Sequence, residues 1–161
     1  MPSRSTMIIA VVIVVALGGF AAAYISAISD GGSSTTAFAD PGDATMVALG
    51  QAVYNKNCAE CHGKNLEGQP NWRVKTPEGV LPAPPHDVTG HTWHHADQVL
   101  FDITKRGGQA NAPTGFISGM PGFGETLSDD DIVATLAYIK SRWPEDVRKR
   151  QAQMSRKVAA Q

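Results

Sequence analysis

Only two cysteines, Cys58 and Cys61, occur in the 161 residues. One Cys-x-x-Cys pair cannot by itself complete a structural zinc site, which takes four ligands. A disulfide between the two would close a very small loop with little entropic gain. Charge of one sign is also missing: 14 Lys and Arg stand against 15 Asp and Glu, for a net −1. Nothing in that balance favours nucleic acid. No run alternates apolar and polar residues over a useful length, so no sheet is expected. No internal repeat is visible.

One long apolar stretch is present. Met7 to Ile28, MIIAVVIVVALGGFAAAYISAI, carries no charge. At about 1.5 Å per residue it makes roughly 33 Å of helix, enough to cross the hydrocarbon core. Arg4 precedes it and Asp30 follows it. The lone cation favours residues 1–6 on the cytoplasmic side and the rest of the chain on the periplasmic side. A cleaved signal peptide is the alternative, but its apolar region is usually about 7–15 residues. The small-x-small sequence Ala37-Phe38-Ala39 lies well beyond the run. The stretch 7–28 is therefore read as a single-pass inner-membrane anchor. Residues 29–43, rich in Gly, Ser and Thr, form a flexible linker with a typical span of roughly 20 Å.

The folded domain is expected over 44–144, with three helices. The first covers about 44–57, where Val47, Gly50 and Tyr54 recur at helical spacing beside Met46, Leu49 and Val53. The second covers about 95–106, with Val99, Leu100 and Ile103 apolar and Gly107-Gly108 closing it. The third covers about 129–142. Ser128 is its cap, Asp129, Asp130 and Asp131 complement the helix dipole, and Pro144 stops it. Ile132, Leu136, Ile139 and Trp143 form its apolar stripe. Between the helices lie two Gly- and Pro-rich stretches, 63–92 and 107–127. Loops of that length are uncommon unless functional, and three short helices bury little apolar area. An apolar group in the centre, with the loops wrapped around it, would resolve both difficulties.

The cysteines point to that group. Cys58-Ala59-Glu60-Cys61-His62 is the attachment signature of c-type haem. Two thioethers from one helical turn fix a porphyrin edge and hold the next residue, His62, beneath the iron. A thioredoxin-type redox pair would need a strand leading into a helix, and this pair follows a helix instead. The histidines downstream are the remaining way to complete a zinc site. Electron-carrying haem usually has both axial positions filled, often by His and Met. Met120 sits in Phe116-Ile117-Ser118-Gly119-Met120-Pro121-Gly122-Phe123, a turn rather than a helix face. It is the candidate second ligand; the alternative is a gap-filling methionine.

These residues resemble the single-haem class I cytochrome c family, in a membrane-anchored form, over about 44–144. Gly50-x-x-x-Tyr54 is similar to the Gly-x-x-x-aromatic of the family's first helix. Cys58-x-x-Cys61-His62-Gly63 resembles its haem site, Met120-Pro121 its distal turn, and Leu136-x-Tyr138-Ile139 its last helix. The resemblance implies an all-α, cytochrome c-like bundle of three main helices, with long loops around one covalent haem c. It implies that the first and last of these helices cross at Gly50, and that a proline carbonyl, Pro84 or Pro85, hydrogen-bonds the proximal imidazole. It also implies electron exchange with membrane redox complexes, either as a tethered carrier or as a docked subunit of an oxidase or dehydrogenase. A haem enzyme acting on a small ligand or peroxide would need an open iron position, which a bound Met120 closes.

Two segments go beyond the resemblance. Residues 66–95 are long and hold His86, His91, His94 and His95. These either bind a second metal or simply cap and pack. Residues 145–161 set five Lys and Arg against Glu145 and Asp146. They are expected as a solvated, fraying helix, with contact to an acidic partner or anionic lipid as the alternative.

Overall fold

The computed structural model describes residues 39–110 and 112–161. The expected cytoplasmic N-terminus, the membrane anchor over 7–28 and most of the linker lie outside the described residues. Among the described residues no helix is long and apolar enough to cross a membrane. Five α-helices are present there: α1 (Ala44–Asn57), α2 (Ala59–His62), α3 (Asp97–Arg106), α4 (Asp129–Ser141) and α5 (Glu145–Ala159). One turn of 3₁₀ helix covers Thr92–His94. The architecture is mostly helical, in keeping with a cytochrome c-like all-α fold.

Asp43 starts α1 by accepting the N–H groups of Thr45 and Met46 at 2.9 and 3.0 Å, which satisfies two of the donors left open at a helix start. Gly50 and Tyr54 are its buried positions. At Gly50 the helix meets α4 so closely that a Cβ would lie 1.9 Å from the Ala134 carbonyl oxygen. Only glycine permits that approach, and the crossing implied by the family resemblance is thus present.

The third expected helix is α4. Ser128 caps it through a capping box: its hydroxyl accepts the Asp131 N–H and the Asp131 carboxylate accepts the Ser128 N–H. Such a cap contributes about 1 kcal/mol. The expected apolar stripe widens into burial of Ile132 and of every residue from Ala134 to Lys140. The reason is that both α1 and α3 pack on this helix. Leu136 and Ala137 meet Ala39 and Leu100 in one cluster. Tyr138 and Ile139 meet Tyr54, Ala59, Leu66, Trp143 and Val147 in another. The helix α3 begins two residues later than expected, because His95 and Ala96 are extended. Val99, expected on its apolar side, is 37% exposed.

The reading of 145–161 as a solvated helix needs correction on one face. Val147, Gln151 and Ser155 recur every four residues and are buried. Gln151 donates from Nε2 to the His95 carbonyl at 3.0 Å and to the Asp97 carboxylate at 2.6 Å. The main-chain N–H of Asp97 donates to the Ser155 hydroxyl at 3.0 Å. A side chain of α5 thereby caps α3, whose own N-cap, Ala96, has no side-chain acceptor. Lys140 reaches the same Asp97 at 2.8 Å, and both side chains are nearly sealed from water. Only the outer face of α5, with the pairs Lys149–Glu145 and Arg150–Asp146, is solvated as expected.

Removing one member of a buried pair strands the other charge. Lys140→Met is therefore expected to cost about 3–5 kcal/mol of unfolding free energy. Adding Asp97→Asn to the same chain should recover part of that loss in a double-mutant cycle followed by denaturant unfolding. Strict additivity would show the two groups to be uncoupled.

Candidate haem site

Cys58 is the joint between α1 and α2. Its N–H stays in the α1 ladder, donating to the Tyr54 carbonyl at 2.8 Å, and its carbonyl accepts from Cys61 and His62 at 3.2 and 2.9 Å. Cys58, Cys61 and His62 thus share one helical turn. No disulfide joins the two cysteines; Cys58 is half-buried and Cys61 exposed. Burial, and secondarily the neighbouring Cys61, pushes the Cys58 thiol up to about 11. The context is helical on both sides, not the strand leading into a helix that a thioredoxin-type pair needs.

His62 is buried, and its Nδ1 lies 2.9 Å from the Pro84 carbonyl oxygen. A carbonyl only accepts, so Nδ1 carries the proton and Nε2 presents its lone pair. Of the two prolines left open by the sequence, Pro84 makes this bond. Burial holds the ring below the ordinary imidazole pKa, with the Pro84 carbonyl pulling weakly the other way. A neutral imidazole is the form that binds a metal.

The loop after the turn is built to deliver that carbonyl. Gly63, at φ +81°, ends α2, and its own carbonyl accepts the buried Tyr54 hydroxyl at 2.8 Å. Leu66 is buried in the left-handed region at φ +71°, uncommon for a side chain of its size, and its carbonyl accepts the His86 N–H at 2.8 Å. Gly68 returns its N–H to the His62 carbonyl at 2.8 Å. A Cβ on Gly68 would lie 2.4 Å from the Pro85 nitrogen, and one on Gly90 would lie 1.9 Å from the Pro85 oxygen. The prolines are gripped by main chain on two sides.

Sequence reasoning missed His86 as a neighbour of the site. Its ring stacks on that of His62 with centroids 4.0 Å apart and planes 19° apart. Its Nδ1 is 2.8 Å from the Thr92 hydroxyl. Burial, then the adjacent His62 and His91, keep it neutral, well below the ordinary imidazole range. The signal available in the sequence was position: two residues past a proline whose carbonyl holds the ligand.

Met120 is half-buried in the second loop. Its N–H donates to the Ser118 hydroxyl at 3.2 Å, and its carbonyl accepts from Gly108 at 3.1 Å. Phe123 and Gly124 donate to the last carbonyls of α3, at Thr104 and Lys105. An isolated parallel bridge pairs Val80 with Ile117. It fastens the loop that carries Met120 to the loop that carries Pro84. No hydrogen bond or ring contact joins Met120 to the Cys58–His62 turn among the described residues. Nor is any described residue from Gly108 to Ser128 buried, although Phe116, Ile117, Met120, Phe123 and Leu127 lie there. Hydrogen bonds shape this loop; a protein core does not.

The other histidines do not converge. His91 stacks on Trp72 and meets His95 edge-on at 5.6 Å, while His94 stacks on Trp93. Among the described residues no group of three or more His, Cys, Asp or Glu side chains is arranged to hold a metal ion. A porphyrin asks less of the protein, because it brings four nitrogens of its own. A groove of about 540 Å³ between Ala39–Pro41 and the Arg148, Ala152 and Arg156 side of α5 includes none of the four expected site residues.

A helical fold around a Cys-x-x-Cys-His turn, with the histidine held by a proline carbonyl, defines a single-haem class I c-type cytochrome domain. Residues 45–139 match the family described as cytochrome C oxidase, cbb3-type, subunit III, and the chain belongs to that family. It is 30% identical over 97 residues to the Cbb3-type cytochrome c oxidase subunit CcoP of Azospirillum brasilense. That match takes in 60% of this chain but only 28% of the relative's length. No solved structure matches the chain. The family's cofactor is covalently attached haem c, and the chain is a cytochrome c-type protein of electron transfer.

Proposed function

We propose that the chain is a membrane-tethered cytochrome that passes single electrons to a terminal oxidase, with Cys58 and Cys61 as thioether anchors and His62 and Met120 as iron ligands. The observation that carries this reading is the bond from His62 Nδ1 to the Pro84 carbonyl, which fixes the tautomer and leaves the lone pair on the ring's other nitrogen. When bound, haem supplies an iron that gains and loses one electron. The residues do the rest. Cys58 and Cys61 hold the porphyrin edge. Pro84 raises the basicity of His62 and sets its direction. The loop from Gly108 to Ser128 offers apolar side chains with few protein neighbours, suited to packing on an apolar ring. Met120 in that loop would raise the potential relative to a nitrogen ligand. On this reading the protein is an electron carrier and makes or breaks no substrate bond.

The apolar stretch 7–28 would confine the domain to the periplasmic face of the inner membrane and raise its effective concentration toward integral partners. A permanently docked oxidase subunit is the second reading, favoured by the name of the bacterial relative. One preparation tests both. Mild solubilisation of membranes, followed by native separation and a reduced pyridine spectrum, should show thioether-linked haem on this chain. Comigration of that haem with an oxidase supports the docked subunit; a free band supports the mobile carrier. A chain without porphyrin on the peptide spanning Cys58 and Cys61 would overturn both.

A further inference from the structure

We propose that His86 is a positioning residue for the iron ligand: its imidazole, pressed flat against His62, fixes the plane in which the His62 ring meets the metal. This rests on the haem-attachment reading above. A single hydrogen bond, from His62 Nδ1 to Pro84, fixes one atom of the ring. A second contact on the flat face fixes the plane. The His86 ring supplies that contact at 4.0 Å and 19°.

The plate is itself held firmly. Its main-chain N–H donates to Leu66 and its carbonyl accepts the Trp143 indole N–H at 2.7 Å. Its side chain is tied to Thr92, and the Tyr54 ring stands edge-on to it at 6.4 Å. Both contacts with His62 also come from one short segment. The ring of Pro85 fixes its φ, which removes one torsion from the short link between the carbonyl at 84 and the plate at 86. His86 is not a second axial ligand on this geometry. The two rings lie face to face, and the His86 Nδ1 is taken up by Thr92.

The fixed plane should be readable in the oxidised holoprotein, because the orientation of an axial imidazole sets the magnetic anisotropy of low-spin iron. The experiment compares the parent protein with His86→Ala and His86→Phe. In His86→Ala the electron paramagnetic resonance features should broaden and shift, and the spread of the haem methyl proton resonances should change. His86→Phe, which restores a flat plate without the Thr92 bond, should return both to the parental pattern. The bonds to Leu66 and Trp143 use the main chain of residue 86, so both variants keep them. If His86→Ala fails to retain haem, His86→Leu, which fills the space without a plate, takes its place. Parental spectra in the Ala or Leu variant, or an Ala-like spectrum in the Phe variant, would overturn the proposal and leave the haem reading intact. Absence of covalent haem in the parent would overturn the haem reading itself.

Discussion

Replacing both thiols, Cys58→Ser with Cys61→Ser, is expected to abolish stable holoprotein. The two apolar clusters bring α1, α3, α4 and the start of α5 together, but neither draws on the second loop. Hydrogen bonds to Thr104 and Lys105 hold the main chain of that loop, while the side chains of Phe116, Met120 and Phe123 belong to neither cluster. Net stabilities are only about 5–15 kcal/mol, so a chain that loses its central apolar partner has little margin. The expected result is a product without the thioether haem band that is degraded or recovered as a loose, protease-sensitive chain. Limited proteolysis should cut first within 107–127, where no described residue from Gly108 to Leu127 is buried. A folded, protease-resistant double variant without haem would show that the helices alone suffice.

Met120→Ala should have the next largest effect, and its signature is opposite in kind. Haem should remain attached, because the Cys58–His62 turn sits on α1 and α2 and, among the described residues, takes no hydrogen bond from the second loop. The turn around residue 120 should persist as well, since Gly108 and Ser118 grip the main chain at 120. On the proposed ligation, what changes is the iron's sixth position. Axial ligation tunes haem potentials over roughly 0.8 V, and loss of a thioether should lower the potential by on the order of 100 mV. Cyanide and carbon monoxide should bind readily to the variant and poorly to the parent. Equal ligand access in both would remove Met120 from the site and revive the reading of an open-iron enzyme.

The helical part of the fold was legible because its determinants are local. Asp43 and Ser128 cap, Gly50 and Tyr54 mark a buried face, and Pro144 stops a helix; each acts within a turn of its own position. The haem turn was legible for the same reason, with all its chemistry in five consecutive residues. The loops were not. The choice between Pro84 and Pro85 depends on where Gly68 and Gly90 press on them, and on an unusual backbone angle at Leu66. None of these leaves a periodic trace. The tail was misread because two of its three buried positions are polar. Gln151 and Ser155 face inward to serve Asp97, and a hydrophobicity pattern counts them as surface. Val99 errs in the opposite sense, as an apolar residue left half in water because the packed side of α3 is Leu100 and Thr104.

Trp143 has a mechanical consequence. It stands between the last two helices, shares a cluster with Val147 of α5, and grips the peptide of residue 86. The chain's far end is thereby geared to the ring that lies on His62. A protein that seized α5 from outside would transmit its pull through that indole to the peptide carrying the ring that lies on His62.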